Sequence, residues 1–293
     1  MGLFEGIAPP LVTPFDEDGE IDEEAYGKLI DWTIESGVKA VVPCGSNGEV
    51  VYLDAEERER VIEIAVAAAD GRVPVIAGTG SPSTVATIEL TKEAERIGAD
   101  GALVVTPFYY PLSQEEIVSH YRTLTAEVDL PILLYQVPKF THQNFEPETV
   151  GELAEIPSVV GMKDSSGDFG FFQRTLKATE EQEFSLLSGS GDLIAAALRA
   201  GATGGILALA NIAPAECARI YDLYLQGDER KARDLNYDLL ELNRTITTRF
   251  GIAGLKAALS MRGMPVGDPR PPLQPLTAEE KGIVEDVLDR FLS

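Results

Sequence analysis

A (β/α)8 barrel with a C-terminal three-helix extension is the fold this sequence predicts. Three observations predict it. Eight short apolar runs alternate with amphipathic helical stretches over about 210 residues. The runs are continuously apolar rather than alternating, so both faces of each strand are covered, as in a parallel sheet. Beyond residue 212 strand-like runs stop and only helical sequence follows. Pattern alone leaves an open, doubly wound sheet as the rival.

The strand candidates, in order, are GIAPPLVTPF (6–15), AVVPCG (40–45), VPVIAGTG (73–80), GALVVTP (101–107), LPILLYQVP (130–138), SVVGMK (158–163), FSLLSG (184–189) and GGILALAN (204–211). Each is rich in aliphatic residues and ends in Gly, Pro or a polar residue. Helical stretches separate them, such as DAEERERVIEIAVAAAD (54–70), which opens with an Asp cap and an acidic first turn. Another is SPSTVATIELTKEAERIGAD (81–100). Residues 1–212 are therefore expected to form the barrel and 213–293 the helical extension, with the Pro-rich GDPRPPLQPLT (267–277) as a rigid connector between its last two helices.

Charge narrows the function. The 293 residues hold 24 Lys and Arg against 48 Asp and Glu, a net charge of −24. Such a surface repels nucleic acid and anionic membranes, so neither is an expected partner. Spread evenly along the chain, it fits a solvated acidic shell in a salt-rich cytoplasm. Cys44 and Cys217 are too few for a disulfide framework. The opening MGLFEGIAPP lacks a signal-peptide pattern, and no run approaches the roughly 18 apolar residues of a membrane span. The expectation is a soluble cytoplasmic protein.

In a barrel of this kind chemistry sits at the C-terminal ends of the strands. Those ends are Thr13, Gly45 to Glu49, Gly78 to Gly80, Thr106 to Tyr110, Tyr135, Lys163, Ser188 to Gly191 and Ile206. They carry one amine, several hydroxyls and phenols, and no metal-ligand cluster. His120 and His142 are the only histidines, and neither fits a metal site or a Ser-His-Asp arrangement. Lys163 ends an apolar run, where desolvation disfavours its charged form, and a neutral amine can attack a ketone to form a Schiff base. The plainer reading is a lysine reaching the barrel rim to pair with Asp164. Tyr135 ends the neighbouring strand and can carry protons as a general acid–base, or simply pack. The Gly-bounded turn CGSNGEV (44–50) can hold a carboxylate through its backbone N–H groups and Ser46.

GSNGE, TPFYYP, YQVP and GMKDSSGD, in this order and on these strands, resemble the dihydrodipicolinate synthase / N-acetylneuraminate lyase family. The resemblance runs from PPLVTPFDEDGEID (9–22) to the C-terminal helices. It implies that Lys163 forms an imine with pyruvate or a pyruvate-derived keto acid and that Tyr135 is the central proton donor and acceptor. It implies that Ser46, where many relatives have Thr, links Tyr135 to a second tyrosine, matching Tyr109, inserted from a neighbouring subunit. Asn47 and Ser46 would offer N–H groups to the pyruvate carboxylate, and Ile206 a backbone carbonyl. Gly48 and Gly189 complete the implied substrate-binding positions. No metal or other cofactor is implied. A homo-oligomer is, most simply a dimer of dimers.

Departures from the family pattern bear on substrate. Synthases carry an arginine after the tyrosine–x–x–proline motif that grips the carboxylate of an aldehyde substrate; Phe140 stands there, and Lys139 points elsewhere if the segment is extended. TPFYYPLSQ also lacks an arginine found in many synthases. GSNGE, GGILALAN and TRFGIAGLK are most similar to the 4-hydroxy-2-oxoglutarate and 2-keto-3-deoxy sugar-acid aldolase branches. The resemblance thus implies a carbon–carbon lyase that splits a 2-keto-3-deoxy sugar acid such as 2-keto-3-deoxygluconate, or a 4-hydroxy-2-keto acid, to pyruvate and an aldehyde. The alternatives are 4-hydroxy-tetrahydrodipicolinate synthase, a keto-sugar-acid dehydratase, and a non-catalytic keto-acid sensor.

Overall fold

A computed structural model describes residues 4–291, so the outermost residues of both expected units, 1–3 and 292–293, lie outside the described residues. Among the described residues seven parallel strands form one curled sheet: β1 (Gly6–Ala8), β2 (Ile76–Gly78), β3 (Gly101–Val105), β4 (Ile132–Gln136), β5 (Val159–Asp164), β6 (Ser185–Ser188) and β7 (Gly204–Ile206). Their order is β1-β7-β6-β5-β4-β3-β2, which leaves β1 and β2 as edges. Residues 41–42 fill that gap. Val42 bridges Pro10 and Val41 bridges Val75, closing the (β/α)8 barrel.

The AVVPCG run is thus shorter than its sequence suggests, and proline explains why. Pro9, Pro10, Pro43 and Pro74 lack the N–H a ladder needs. What remains is single bonds: Val42 N to Pro9 O (3.1 Å), Leu11 N to Val42 O (3.0 Å), Val41 N to Pro74 O (3.0 Å) and Ile76 N to Val41 O (3.0 Å). On the other side of β1, Asn211 reinforces the seam. Its Oδ1 accepts from Val12 N (3.1 Å) and its Nδ2 donates to Pro10 O (2.9 Å). At the β1–β7 contact only glycine fits, because a Cβ on Gly204 would lie 1.9 Å from Gly6 O.

The helices form for the reasons their sequences give. In Ala55–Ala69, Asp54 and Glu57 make a reciprocal capping box, and Val61, Ile62, Ala65 and Ala69 form the buried face. Two apolar layers result. A large one lies between strands and helices. A smaller one fills the barrel with Ala8, Val42, Ile76, Leu103, Leu133, Leu187 and Ile206, and Tyr135 sits at its upper end. Strand alternation sends Leu133 and Tyr135 of β4 inward while Leu134 meets the helices.

One boundary differs from the sequence expectation. Helix Pro214–Leu225 lies beyond residue 212 but packs against β1, because it is the return helix of the last βα unit. The long helices that follow are Glu229–Asp238, Gly251–Met261 and Ala278–Phe291, with a π-helical turn at Arg244–Arg249. Among the described residues no helix is long and apolar enough to cross a membrane.

Candidate active site

β4 and β5 place the two central side chains side by side. Their register pairs Tyr135 with Lys163 and Gln136 with Asp164. Tyr135 and Lys163 both face the barrel interior, and Lys163 Nζ lies over the Tyr135 ring, 4.3 Å from its centroid. Both are buried, Lys163 at 4% exposure and Tyr135 at 5%. Among the described residues no carboxylate lies within ion-pairing distance of Lys163.

Asp164 is therefore not its partner. Alternation turns Asp164 to the outside of the barrel wall, where Oδ1 accepts from Gln136 Nε2 (3.1 Å) and Ser166 N (2.9 Å), and Oδ2 accepts from Ser166 Oγ (3.1 Å). Burial holds its carboxyl above the ordinary carboxylate value, against the pull of those hydrogen bonds. Gln136 was not singled out by sequence. Its Oε1 accepts from Phe145 N (2.6 Å) while its amide holds Asp164, so it braces the loops behind Tyr135 and Lys163. A lone polar residue on the outward face of an apolar strand is the signal that would have found it.

Ser46, Asn47 and Gly48 form a single 3-10 turn between Gly45 in extended backbone and Glu49 at φ 58°. Thr13 Oγ1 donates to Gly48 O (2.8 Å), pinning the turn to the end of the first apolar run. Ser46 Oγ reaches the Tyr135 hydroxyl at 3.4 Å, the contact the resemblance implies. Gly48 N and Glu49 N bond back to Gly45 O and Ser46 O, whereas the N–H groups of Ser46 and Asn47 meet no acceptor among the described residues. Ile206 is buried in the interior layer with Tyr135. Gly189 N donates to Asp164 O (2.7 Å), and a Cβ there would strike Ser165 Oγ, so this loop passes tightly behind Lys163.

Two expected residues are not brought to this centre within one chain. Tyr109 takes a left-handed backbone (φ 89°); the residue is 84% exposed, and its ring is set edge-on to Tyr110 at 5.0 Å. Phe140 is also exposed, at 55%, and it does not lie on extended chain. Pro138 starts a helical turn, Pro138–Thr141, because its fixed φ suits a first helical position. Strand alternation therefore does not carry Lys139 away: its Nζ sits 5.6 Å from the Phe140 ring centroid.

Among the described residues no group of His, Cys, Asp and Glu is arranged to hold a metal ion. His120 Nδ1 pairs with Thr84 Oγ1 (2.9 Å), and burial pushes its imidazole down to about 4. What remains is a buried amine against a phenol, a hydroxyl link, and a turn with free N–H groups beside them. That set can attack a carbonyl carbon, move a proton and hold a carboxylate.

A model of the dihydrodipicolinate synthetase family matches residues 3–290. The chain belongs to that family. It is 37% identical over 289 residues to a Methanothrix thermoacetophila protein named 4-hydroxy-tetrahydrodipicolinate synthase, covering 99% of this chain and 97% of the relative. A Halobacterium salinarum protein described as a DapA-like lyase is 39% identical over 285 residues, 97% of this chain and 93% of the relative. The solved dihydrodipicolinate synthase of Aquifex aeolicus superposes with a TM-score of 0.94 at 37% identity, covering 98% of each chain.

Burying an ammonium without a counter-ion costs stability. Lys163→Met should therefore raise the unfolding free energy by about 1 kcal/mol or more, read by denaturant melts. A lower stability in the variant would mean that Lys163 has a structural partner.

Proposed function

We propose that this member of the family is a class I pyruvate aldolase in which Lys163 carries the substrate as a Schiff base. The observation that carries this reading is the buried, carboxylate-free Lys163 amine against Tyr135, itself linked to Ser46. Lys163 Nζ adds to the C2 keto carbon of the substrate, and water leaves to form an iminium. The C3–C4 bond electrons then flow into the iminium, an aldehyde departs, and the resulting enamine is protonated at C3. Hydrolysis frees pyruvate and the amine. Tyr135 shuttles the protons in these steps. The free N–H groups of Ser46 and Asn47 hold the keto-acid carboxylate, Gly48 and Gly189 shape the floor and wall, and the Ile206 carbonyl faces the bound keto acid.

The aldehyde partner is the finer question. The relatives' names favour the synthase alternative over sugar-acid cleavage, since several are called 4-hydroxy-tetrahydrodipicolinate synthase at 37–40% identity. Aldehyde choice, however, turns on few side chains, and at the position expected to clamp an aldehyde's carboxylate this chain has Phe140. A guanidinium makes two charge-assisted bonds to a carboxylate, and phenylalanine makes none. Lys139 lies close enough to offer a single mobile charge but no fork. We therefore assign the chain an uncharged polyhydroxy aldehyde, with a 2-keto-3-deoxy sugar acid such as 2-keto-3-deoxygluconate as the substrate of cleavage.

The proton path is completed by Tyr109 of a second copy. This accounts for an aromatic pair left exposed at the mouth, and a dimer of dimers is the assembly it implies. One similar structure is described as a monomeric dihydrodipicolinate synthase variant (TM-score 0.94, 33% identity), so assembly rests on Tyr109 rather than on the likeness. Molar salt should favour the oligomer, because at −24 per chain the copies repel and screening shortens that repulsion. Tyr109→Phe should lower turnover well beyond Tyr110→Phe; a fully active monomer in light scattering would refute the shared site.

For specificity, kcat/KM for 2-keto-3-deoxygluconate cleavage should exceed that for condensation of pyruvate with aspartate semialdehyde by about a hundredfold, the cost of a poorly satisfied carboxylate. Phe140→Arg should recover part of the condensation. Efficient condensation by the unmodified protein, lost in Lys139→Ala and without sugar-acid cleavage, would establish the synthase reading instead.

A further inference from the structure

Lys256 and Glu49 form the one ion pair among the described residues with both side chains fully buried: Nζ lies 2.7 Å from Oε1, at 1% and 0% exposure. Such a pair adds little to stability, since apolar replacements of similar volume are often neutral or better. Its location is the informative part. Glu49 is the residue that ends the Ser46–Gly48 turn, and it does so in a left-handed backbone that non-glycine residues seldom adopt. Two segments of the C-terminal extension reach it there. Lys256 comes from helix Gly251–Met261, and Arg270, on the Pro-rich connector, donates its backbone N–H to Glu49 Oε2 (2.7 Å).

Both cations are themselves fixed. Lys256 Nζ also donates to Asp268 O (3.1 Å) and lies 4.1 Å from the Phe15 ring centroid, while the Arg270 guanidinium lies 4.2 Å from the same centroid. Arg270 further bonds to Gly19 O and to the Glu57 carboxylate. Burial favours the neutral amine of Lys256, and Glu49 opposes that shift. The turn is thus clamped on both sides, by Thr13 at Gly48 O and by the extension at Glu49, with the N–H groups of Ser46 and Asn47 between them and unbonded.

We propose that Glu49 and Lys256 are positioning residues for substrate: the buried pair aims the Ser46 and Asn47 N–H groups at the keto-acid carboxylate, so the C-terminal extension sets keto-acid affinity. This rests on the reading of that turn as the carboxylate holder. An N–H pair turned away by even a fraction of an ångström weakens its hydrogen bonds to the carboxylate without touching the amine that does the chemistry.

The test compares the full chain with Glu49→Gln, which keeps an acceptor for Arg270 N, and with Glu49→Gln/Lys256→Met, which removes both charges. Three quantities are read: the pyruvate concentration for half-maximal borohydride-trapped adduct, the adduct yield at saturating pyruvate, and the melting temperature. Both variants should need about tenfold more pyruvate or higher, with saturating yield within about twofold of the parent. The double variant should melt close to the parent yet stay weak for pyruvate, a separation that a purely structural pair would not produce. Unchanged half-saturation in the double variant, or affinity that returns together with melting temperature, would overturn the proposal. Failure of the parent itself to take up pyruvate would instead overturn the aldolase reading.

Discussion

Lys163 lies inside a packed barrel with the face of a phenol as its close neighbour and, among the described residues, no carboxylate in reach, and the arrangement of the site depends on that placement. The second fully buried lysine shows the contrast: Lys256 is matched by Glu49 and a backbone carbonyl. The difference follows from strand geometry. Parallel register sets Lys163 beside Tyr135, and alternation sends Asp164 to the far side of the wall, where Gln136 and Ser166 satisfy it. The local acid is kept away from the amine by one residue of pleat. A buried amine with a phenol face beside it and no acid among its described neighbours is an arrangement that folding alone does not favour.

The rest of the architecture serves that point. The interior layer of small and branched residues ends at Tyr135, so Tyr135 and Lys163 stand on a solid floor rather than over a pore. The seam where the prolines interrupt the ladder is held by isolated bridges and by Asn211, while the neighbouring β1–β7 pairing closes through a Gly–Gly contact that admits no side chain. The turn that ends this irregular stretch is the one whose Ser46 and Asn47 N–H groups meet no acceptor among the described residues, and it is anchored from both units, by Thr13 of the barrel and by Lys256 and Arg270 of the extension.

Much of this was legible in the sequence because it is local. Capping residues, continuous apolar runs and their spacing mark the βα units, and Lys163 and Tyr135 stand out as the polar ends of apolar strands. Four things were not legible. The second strand shrinks to two bridges because its own Pro43 and its neighbours' prolines lack donors, a pairing effect only partly visible in AVVPCG itself. Helix Pro214–Leu225 belongs to the barrel because of what it packs on, and its sequence resembles that of the extension. YQVPKFTHQ turns helical at Pro138, which brings Lys139 beside Phe140 instead of away from it. The Glu49–Lys256 pair joins residues far apart in the chain; a single lysine in the apolar helix GIAGLKAALSM was its only trace.

The most direct test of the account is a peptide mass map of the protein after incubation with pyruvate and borohydride. A single adduct, with the mass of one reduced pyruvate, should sit on Lys163 and leave Lys256 untouched. An adduct on Lys256 or on exposed lysines, or an active protein with Lys163 unmodified, would contradict the claim that the unpaired buried amine is the nucleophile.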